Sequence, residues 1–214
     1  MREIDPAEAS FLADLQVLLS GGAGPRRWAS CPSPIHRLCA VDASYSGERV
    51  VAVATEFLDG ALEGRGVYRG RCHFPYVSGL LCYREGPFVV EAVRRLANPP
   101  ELVCFDGHGI AHPRSAGLAT VCGMVLGLPT VGMAKSLMRG TAVASGGETG
   151  PIMSGDRWVG LAERTGASRR YWSPGHGVST RQLATIVSRY GQICLQAMRE
   201  SDRAARIEIR AWNN

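Results

Sequence analysis

Charged side chains follow three short apolar segments of this sequence, in the pattern of a site at the edge of a sheet. Asp42 follows Leu-Cys-Ala-Val, Asp106 follows Leu-Val-Cys-Phe, and Lys135 follows Thr-Val-Gly-Met-Ala. Such segments are typical of buried strands, and parallel neighbouring strands end at the same edge of a sheet. Glu85 directly precedes a Gly-Pro pair at which we expect a helix to begin, so the helix dipole would hold its carboxylate. We therefore expect three carboxylates and one ammonium group to meet at one place.

This set of side chains predicts metal-assisted chemistry. Clustered carboxylates repel one another unless a cation neutralises them, and Mg²⁺ is typically held by a few carboxylates together with water and substrate phosphate oxygens. Asp42, Glu85 and Asp106 are therefore candidate metal ligands for phosphodiester hydrolysis, in which metal ions activate water and stabilise the leaving oxygen. Taken singly, each is better explained as a turn or capping residue, so the prediction depends on all three coming together.

Lysine usage singles out one further side chain. Of the 24 lysine and arginine residues, only Lys135 is lysine and the other 23 are arginine. A compact ammonium group suits a position beside a phosphate better than a planar guanidinium does. A functional Lys135 is therefore expected, with a lysine left by chance at a strand end as the alternative.

The loop after Asp106 is a candidate ligand-binding loop. It reads Gly-His-Gly-Ile-Ala-His-Pro-Arg and carries His108, His112 and Arg114 ahead of a predicted helix. Its small residues let backbone N–H groups approach a ligand closely. A polar loop followed by a capped helix is the alternative interpretation.

The elements that must position these residues follow from hydrophobic periodicity and turn signals. Predicted helices cover residues 5–19, a segment from 86 onward, the first part of the uncharged stretch 116–134, residues 180–198, and the tail from 200. Predicted strands cover residues 38–41, 50–58, 62–68, 102–105, 130–134 and a piece around 158–161. Hairpins followed by strands alternating with helices predict an α/β fold with a mixed central sheet flanked by helices.

Composition limits the class of protein. A chain of 214 residues that is 45% hydrophobic and 20% charged can bury a substantial core, so we expect one domain over residues 1–214 rather than a disordered chain. The formal net charge of +5 suits a polyanionic partner without requiring one.

Location is predicted from the amino terminus, the apolar stretch and the cysteines. A signal peptide would begin with basic residues followed by an apolar segment, whereas the first residues here include acidic side chains. Glycines and a proline divide the uncharged stretch 116–134 into a helix and a strand, which argues against a membrane span. The seven scattered cysteines lack metal-binding spacing and are expected to be reduced packing residues. These features predict a cytoplasmic protein without membrane association.

Five segments of the chain, in order, resemble the motifs of the endonuclease V family, which acts on deoxyinosine and inosine. They are Val41-Asp42-Ala43-Ser44-Tyr45, the segment 75–81 leading to Tyr83-Arg84-Glu85, the segment 106–114, Val131-Gly132-Met133-Ala134-Lys135-Ser136, and Gly175-His176-Gly177-Val178-Ser179. The resemblance extends from about residue 42 to 179 and over nearly the whole chain. It implies a ribonuclease H-like fold with a mixed sheet flanked by helices.

The resemblance also implies a reaction. It is cleavage of the second phosphodiester bond 3′ to a hypoxanthine base in DNA or RNA, leaving a 3′-hydroxyl and a 5′-phosphate, in DNA repair or inosine RNA processing. The implied cofactor is Mg²⁺, with Mn²⁺ as a substitute, held by Asp42, Glu85 and Asp106. His112 and Lys135 would stand near the scissile phosphate, and the protein would act as a monomer.

The remaining implied residues bind the substrate. The family's wedge motif falls on Pro75, Tyr76, Val77 and Ser78. A tyrosine on a proline-stiffened loop can stack in the gap left by a flipped base, although a buried loop anchor is the alternative for Tyr76. The base pocket is expected from backbone around Gly79 to Leu81 and Gly107 to Ile110. Further expected substrate-binding or accessory residues are Gly79, Leu81, Gly107, Gly109, Ile110, Arg114 and His176.

Two other functions are alternatives to that of an endonuclease. A protein that binds inosine-containing nucleic acid without cleaving it would be favoured by the loss of one of the three carboxylates, and none is lost. A small-molecule hydrolase of the same architecture would not explain Tyr76 or the excess of arginine. The sequence therefore favours a metal-dependent nuclease.

Overall fold

A mixed sheet with helices on both faces forms the centre of the protein. The computed structural model describes residues 4–22, 31–138, 142–143 and 148–213. Its elements are α1 (Pro6–Gly22), β1 (Arg37–Ser46), β2 (Arg49–Leu58), β3 (Ala61–Arg71), α2 (Leu81–Arg94), β4 (Leu102–Phe105), α3 (Leu118–Leu126), β5 (Thr130–Ala134), β6 (Ala142–Val143), β7 (Thr149–Ser154), β8 (Arg157–Thr165), β9 (Ser168–Pro174) and α4 (Thr180–Asn213). The predicted α/β class is confirmed.

The strand order places three parallel strands in the middle of the sheet. Within the described ranges the sheet has nine strands in the order β3-β2-β1-β4-β5-β9-β8-β7-β6. β4 pairs in parallel with β1 on one side and with β5 on the other, while the other pairs are antiparallel. Val41 pairs with Phe105, and Phe105 pairs with Gly132. The residues that follow, Asp42 and Asp106, therefore lie side by side, as the apolar segments before them predict.

Alternate residues of the central strands enter cores on opposite faces of the sheet. Leu38 and Ala40 of β1 belong to a buried cluster with the amino-terminal half of α4. Cys39 and Val41 belong to a second cluster, with α2 and α3. This period of two is what a strand buried on both faces requires. The arrangement leaves the carboxyl-terminal edge of the parallel strands open between α2 and α4.

The start of α2 differs from the prediction. The helix begins at Leu81, so Pro87 lies inside it and Glu85 is its fifth residue rather than a residue ahead of its first turn. An interior proline removes one backbone hydrogen bond. Burial along one face offsets that loss, since the buried positions recur with helical spacing from Cys82 to Val93. Glu85 is therefore positioned by the packed face of the helix and not by its end.

Two other segments also differ from the prediction. The glycine-rich part of the chain contains β7, β8 and β9, where the sequence predicts one strand around 158–161. Much of β7, β8 and β9 is exposed or half-buried, so their hydrophobic pattern is weak. α4 is one helix of 34 residues, whereas the pattern predicts one helix to residue 198 and another from 200.

All seven cysteines are free and buried, as predicted for packing residues. None of the helices in the described ranges is long and apolar enough to cross a membrane.

Candidate functional site

An open cleft lies at the carboxyl-terminal edge of the three parallel strands. Its volume is about 850 Å³. It is lined by the four predicted charged residues and by a fourth carboxylate from α4: Asp42, Glu85, Asp106, Lys135 and Asp202. The structure therefore brings together the side chains that the sequence analysis singled out.

Asp42 is positioned by a strand that continues past it. β1 runs on to Ser46 because it forms a hairpin with β2, and Asp42 pairs with Val53 inside that hairpin, so it does not end the strand as predicted. Its Oδ1 accepts a hydrogen bond of 2.8 Å from the Ala43 N–H. Burial and the neighbouring charge of Asp106 raise the pKa of Asp42 to about 7.

Glu85 faces the same cleft from α2. Burial, and then the charges of Asp42 and Asp106, raise its pKa to about 8. Both carboxyl groups thus release a proton only near neutral pH, because the ionised forms are poorly solvated and repel each other. Such groups are well suited to gain from a bound cation.

Lys135 places a positively charged side chain beside these carboxyl groups. Its Nζ lies 2.5 Å from Oδ2 of Asp106, and its side chain is 65% exposed. Burial of part of Lys135 lowers its pKa, but the hydrogen bond with Asp106 and the nearby carboxylates outweigh this, and the pKa lies above its ordinary value. Lys135 is therefore charged and accessible from the cleft.

Asp202 is a site residue that the sequence analysis missed. The hydroxyl of Ser201 is fully buried and donates a hydrogen bond of 2.9 Å to the Ala40 carbonyl, which fixes α4 against β1. Asp202 then faces the cleft, where its charge raises the pKa of Asp42. Its Oδ1 accepts a 2.8 Å hydrogen bond from Nε of Arg206. A charged residue on a helix gives no sequence signal that distinguishes it from an ordinary exposed one.

The carboxylates are suitable metal donors, but they do not form a closed metal cage. In the part of the chain that the structure describes, no group of three or more His, Cys, Asp or Glu side chains is gathered so as to hold a metal ion. Asp106 is instead paired with Lys135. Burial, and then repulsion between the carboxylates, disfavour the ionised forms of Asp42 and Glu85, and a divalent cation would relieve both effects.

His112 is held in one tautomer by its neighbours. The backbone N–H of Arg114 donates to its Nδ1 over 3.2 Å, so the ring proton is on Nε2, which donates to the Gly79 carbonyl over 3.1 Å. Burial, and then the charge of Arg114, lower the pKa of His112 to about 4. In this arrangement His112 is neutral and supports the wall of the cleft.

Comparison with known proteins decides the family of this chain. The family model described as Endonuclease V matches residues 27–199. The chain belongs to the Endonuclease V family. An Endonuclease V from Geotalea uraniireducens is 39% identical over 174 residues, which are 77% of this chain and 74% of that protein.

Solved structures of the family share the fold. The Endonuclease V from Streptomyces avermitilis matches with a TM-score of 0.83 and 28% identity, over 96% of this chain and 94% of that one. The Endonuclease V from Ciona intestinalis, solved in complex with DNA containing an inosine, matches with a TM-score of 0.85 and 20% identity, over 97% and 99% of the two chains. The matched range 27–199 leaves α1 and Asp202 outside the family model.

The segment that resembles the Endonuclease V wedge lies at the mouth of the cleft. Tyr76 is 66% exposed and lines the cleft, which rules out the alternative of a buried loop anchor. Ser78, Gly79 and Leu81 also line it. Pro75 and Val77 belong to the same loop but are not among the lining residues that the structure describes.

The second half of the expected base pocket is only partly at the cleft. Gly107 lines it, whereas Gly109 and Ile110 donate backbone hydrogen bonds to β9, at Ser173 Oγ over 2.7 Å and at the Pro174 carbonyl over 2.8 Å. A Cβ atom at Gly109 would lie 1.9 Å from that carbonyl oxygen, so the glycine is needed for this packing. These two residues support the cleft from behind.

His176 lies away from the cleft. Its backbone N–H donates to Thr130 Oγ1 over 2.8 Å, and Thr130 is the first residue of β5. Lys135 follows the last residue of the same strand, so the two residues lie at opposite ends of it. The prediction of His176 as an accessory site residue is therefore not supported by its position.

Proposed function

We propose that this protein is a metal-dependent endonuclease that recognises hypoxanthine in DNA or RNA and hydrolyses the second phosphodiester bond 3′ to it, leaving a 3′-hydroxyl and a 5′-phosphate. Its role would be in DNA repair or in the processing of inosine-containing RNA. Membership of the Endonuclease V family supports this proposal. The observation that carries it is that the charged centre and the exposed Tyr76 share one cleft.

The charged centre suits the hydrolytic step. Asp42, Glu85 and Asp106 would hold Mg²⁺, or Mn²⁺ in its place, with Asp202 as a further carboxylate within the cleft. The metal would supply charge stabilisation for the scissile phosphate and an activated water. Lys135 keeps its proton and is exposed to the cleft, so it can contact a phosphate oxygen as a point charge. Asp106 and Lys135 would give up their ion pair on binding, Asp106 to help hold the metal and Lys135 to contact the phosphate.

The rim of the cleft suits a nucleic acid. Tyr76 offers an exposed ring for stacking on one side, and Arg206 and Arg210 of α4 line the cleft elsewhere. Guanidinium groups bind phosphate oxygens in any base sequence. The wall formed by Ser78, Gly79 and Leu81 would receive the displaced base, since it lines the cleft and lies between Tyr76 and Glu85 along the chain.

A protein that binds inosine-containing strands without cleaving them is the second candidate. The observation that favours it is the pairing of Asp106 with Lys135, together with the lack of a gathered metal-ligand group in the described part of the chain. The same cleft and the same Tyr76 would serve both functions. The two candidate functions differ in whether the bound strand is cleaved when a divalent cation is present.

A cleavage assay with end-labelled strands tests the proposal. Matched DNA and RNA strands carry hypoxanthine or adenine at one position and are incubated with Mg²⁺, with Mn²⁺ or with EDTA. We expect one cut, at the second phosphodiester bond 3′ to hypoxanthine, only in the presence of metal. An Asp42→Asn variant serves as the matched control. Tight binding without any cut under all conditions would favour the non-cleaving candidate.

A further inference from the structure

α1 is a peripheral helix with one buried residue. Among its residues with a described side chain, Gln16 alone is buried, at 1% exposure. Apolar side chains on the same helix face solvent, with Phe11 63% and Leu18 73% exposed. Leu12 and Leu15 are half-buried, although a helix normally buries its apolar face and leaves its amides in water. The most deeply buried of the described side chains of α1 is therefore a polar one.

The hydrogen bonds of Gln16 define the orientation of its amide. Nε2 donates to the Ala116 carbonyl over 2.8 Å and to Cys82 Sγ over 3.3 Å. Oε1 accepts from Nε of Arg114 over 2.8 Å. A carbonyl can only accept and a guanidinium can only donate, so a flipped amide would lose both bonds. The side chain is therefore locked between α2, the end of the 106–116 loop and Arg114.

Arg114 carries this constraint to the wall of the cleft. Its Nη2 donates to the Gly79 carbonyl over 2.7 Å, and the same carbonyl accepts from His112 Nε2 over 3.1 Å. Gly79 has a φ of +82°, and a Cβ atom there would lie 2.9 Å from Nη2 of Arg114. One peptide with an unusual conformation is thus held by two side chains, one of which is oriented by Gln16.

We propose that Gln16 is a positioning residue for base recognition. Through Arg114 it fixes the peptide of Gly79, and so sets the shape of the cleft wall at Ser78, Gly79 and Leu81 before the substrate arrives. The inference rests on the proposed function, because the wall is taken as the surface that receives the base. It makes α1, which lies outside the range matched by the family model, a functional part of the cleft.

Binding selectivity tests this inference without requiring turnover. The proteins are wild type, Gln16→Ala, Arg114→Lys, the double variant, and Leu18→Ala as a control on the exposed face of α1. Fluorescence anisotropy in EDTA gives the Kd for strands that carry hypoxanthine, guanine or adenine at one position. Melting curves for all five proteins accompany the measurement. The preference for hypoxanthine is the ratio of Kd values, which loss of general affinity leaves unchanged.

We expect Gln16→Ala and Arg114→Lys each to reduce the preference by about tenfold or more, since small displacements of a positioned group are costly. Arg114→Lys keeps the charge but lacks the two separate nitrogens, Nε and Nη2, that donate to Gln16 and Gly79. Because both act through one peptide, the double variant should be no worse than the more severe single variant. Leu18→Ala should match wild type.

One outcome for the single variants overturns the inference alone. It is an unchanged preference in Gln16→Ala and Arg114→Lys, whether affinity is kept or is lost equally for all three bases. Additive effects in the double variant would also contradict a shared route through Gly79. If Gln16→Ala is too unstable to measure, Arg114→Lys decides the matter with α1 intact. A wild-type protein without any preference for hypoxanthine would instead contradict the proposed function, and the inference with it.

Discussion

The floor and the rim of the cleft are built in opposite ways. The floor carries Asp42 within β1 and Asp106 directly after β4, each preceded by a buried residue, and its carboxylates are held close together at an electrostatic cost. The rim carries Tyr76 on a loop, largely exposed and free of such strain. Chemistry on a phosphate needs fixed charges, whereas opening a stacked strand needs an accessible ring. The difference predicts that substitutions in the floor and the rim affect separate steps.

Substitutions in the floor are expected to have the largest effect on cleavage. Replacing Asp42, Glu85 or Asp106 by alanine should abolish cleavage, a loss of at least about 10²-fold, because in the proposed function these groups would hold the metal. Binding of the strand and folding should persist. Product formation on a labelled inosine strand with Mg²⁺, together with anisotropy and a melting curve, checks this. Near-native cleavage by two of the three variants would mean that the carboxylates have another role.

Lys135 sharpens the comparison because it lies in the floor but is exposed. Lys135→Arg keeps the charge and should keep strand affinity, yet lose about tenfold or more in single-turnover rate, since a planar guanidinium does not replace a compact ammonium group at a crowded site. Lys135→Ala should be slower still. An arginine variant as fast as wild type would place Lys135 outside the reacting centre.

Substitutions in the rim should weaken binding of the strand and leave the hydrolytic step unchanged. Tyr76→Ala is expected to weaken binding by about 1–3 kcal/mol, the range for one aromatic ring stacked on a base. The loss should be greater for duplex than for single-stranded substrate, because only a stacked helix leaves a gap to fill. Titrations of both substrates measure it. Equal losses on both would indicate that Tyr76 has no wedge role.

Sequence reasoning located the floor better than its surroundings. Each of Asp42, Asp106 and Lys135 follows an apolar segment that only a buried central strand explains, so their proximity could be predicted. Asp202 and Gln16 could not, because each depends on a tertiary contact: Ser201 with Ala40, and Gln16 with Arg114. Local signals identify strands, while the packing of a helix across a sheet is set by distant residues.

Local signals also failed where burial outweighs them. Pro87 indicates the first turn of a helix, but α2 starts at Leu81 because its buried face extends back to Cys82. β7 and β9 were missed because their side chains are largely half-buried, which weakens the alternation that identifies strands.

The smallest expected effect concerns stability, and it tests whether the floor is strained. The pKa of Asp42 rises from 3.8 to about 7 and that of Glu85 from 4.5 to about 8 on folding. Between the ordinary and the raised pKa values these two groups bind more protons in the folded protein than in the unfolded chain. Their contribution to stability is therefore full below about pH 4 and is lost as pH rises toward 8. Asp42→Asn and Glu85→Gln remove the charge that causes the decline. In EDTA at pH 8 each should therefore raise Tm by a few degrees, corresponding to roughly 1–3 kcal/mol.

Melting curves at pH 5 and pH 8 in EDTA measure this effect. At pH 5 both carboxyl groups are already largely protonated in the folded protein, so the gain from either substitution should be smaller than at pH 8. Asp156→Asn, at an exposed turn, is the matched control and should leave Tm unchanged at both pH values. Addition of Mg²⁺ at pH 8 should raise Tm of the wild type more than that of Asp42→Asn, because a cation relieves only the charge that is present. A lower Tm for both variants at pH 8 would show that the ionised carboxylates stabilise the floor, and the contrast between a strained floor and an unstrained rim would then be wrong.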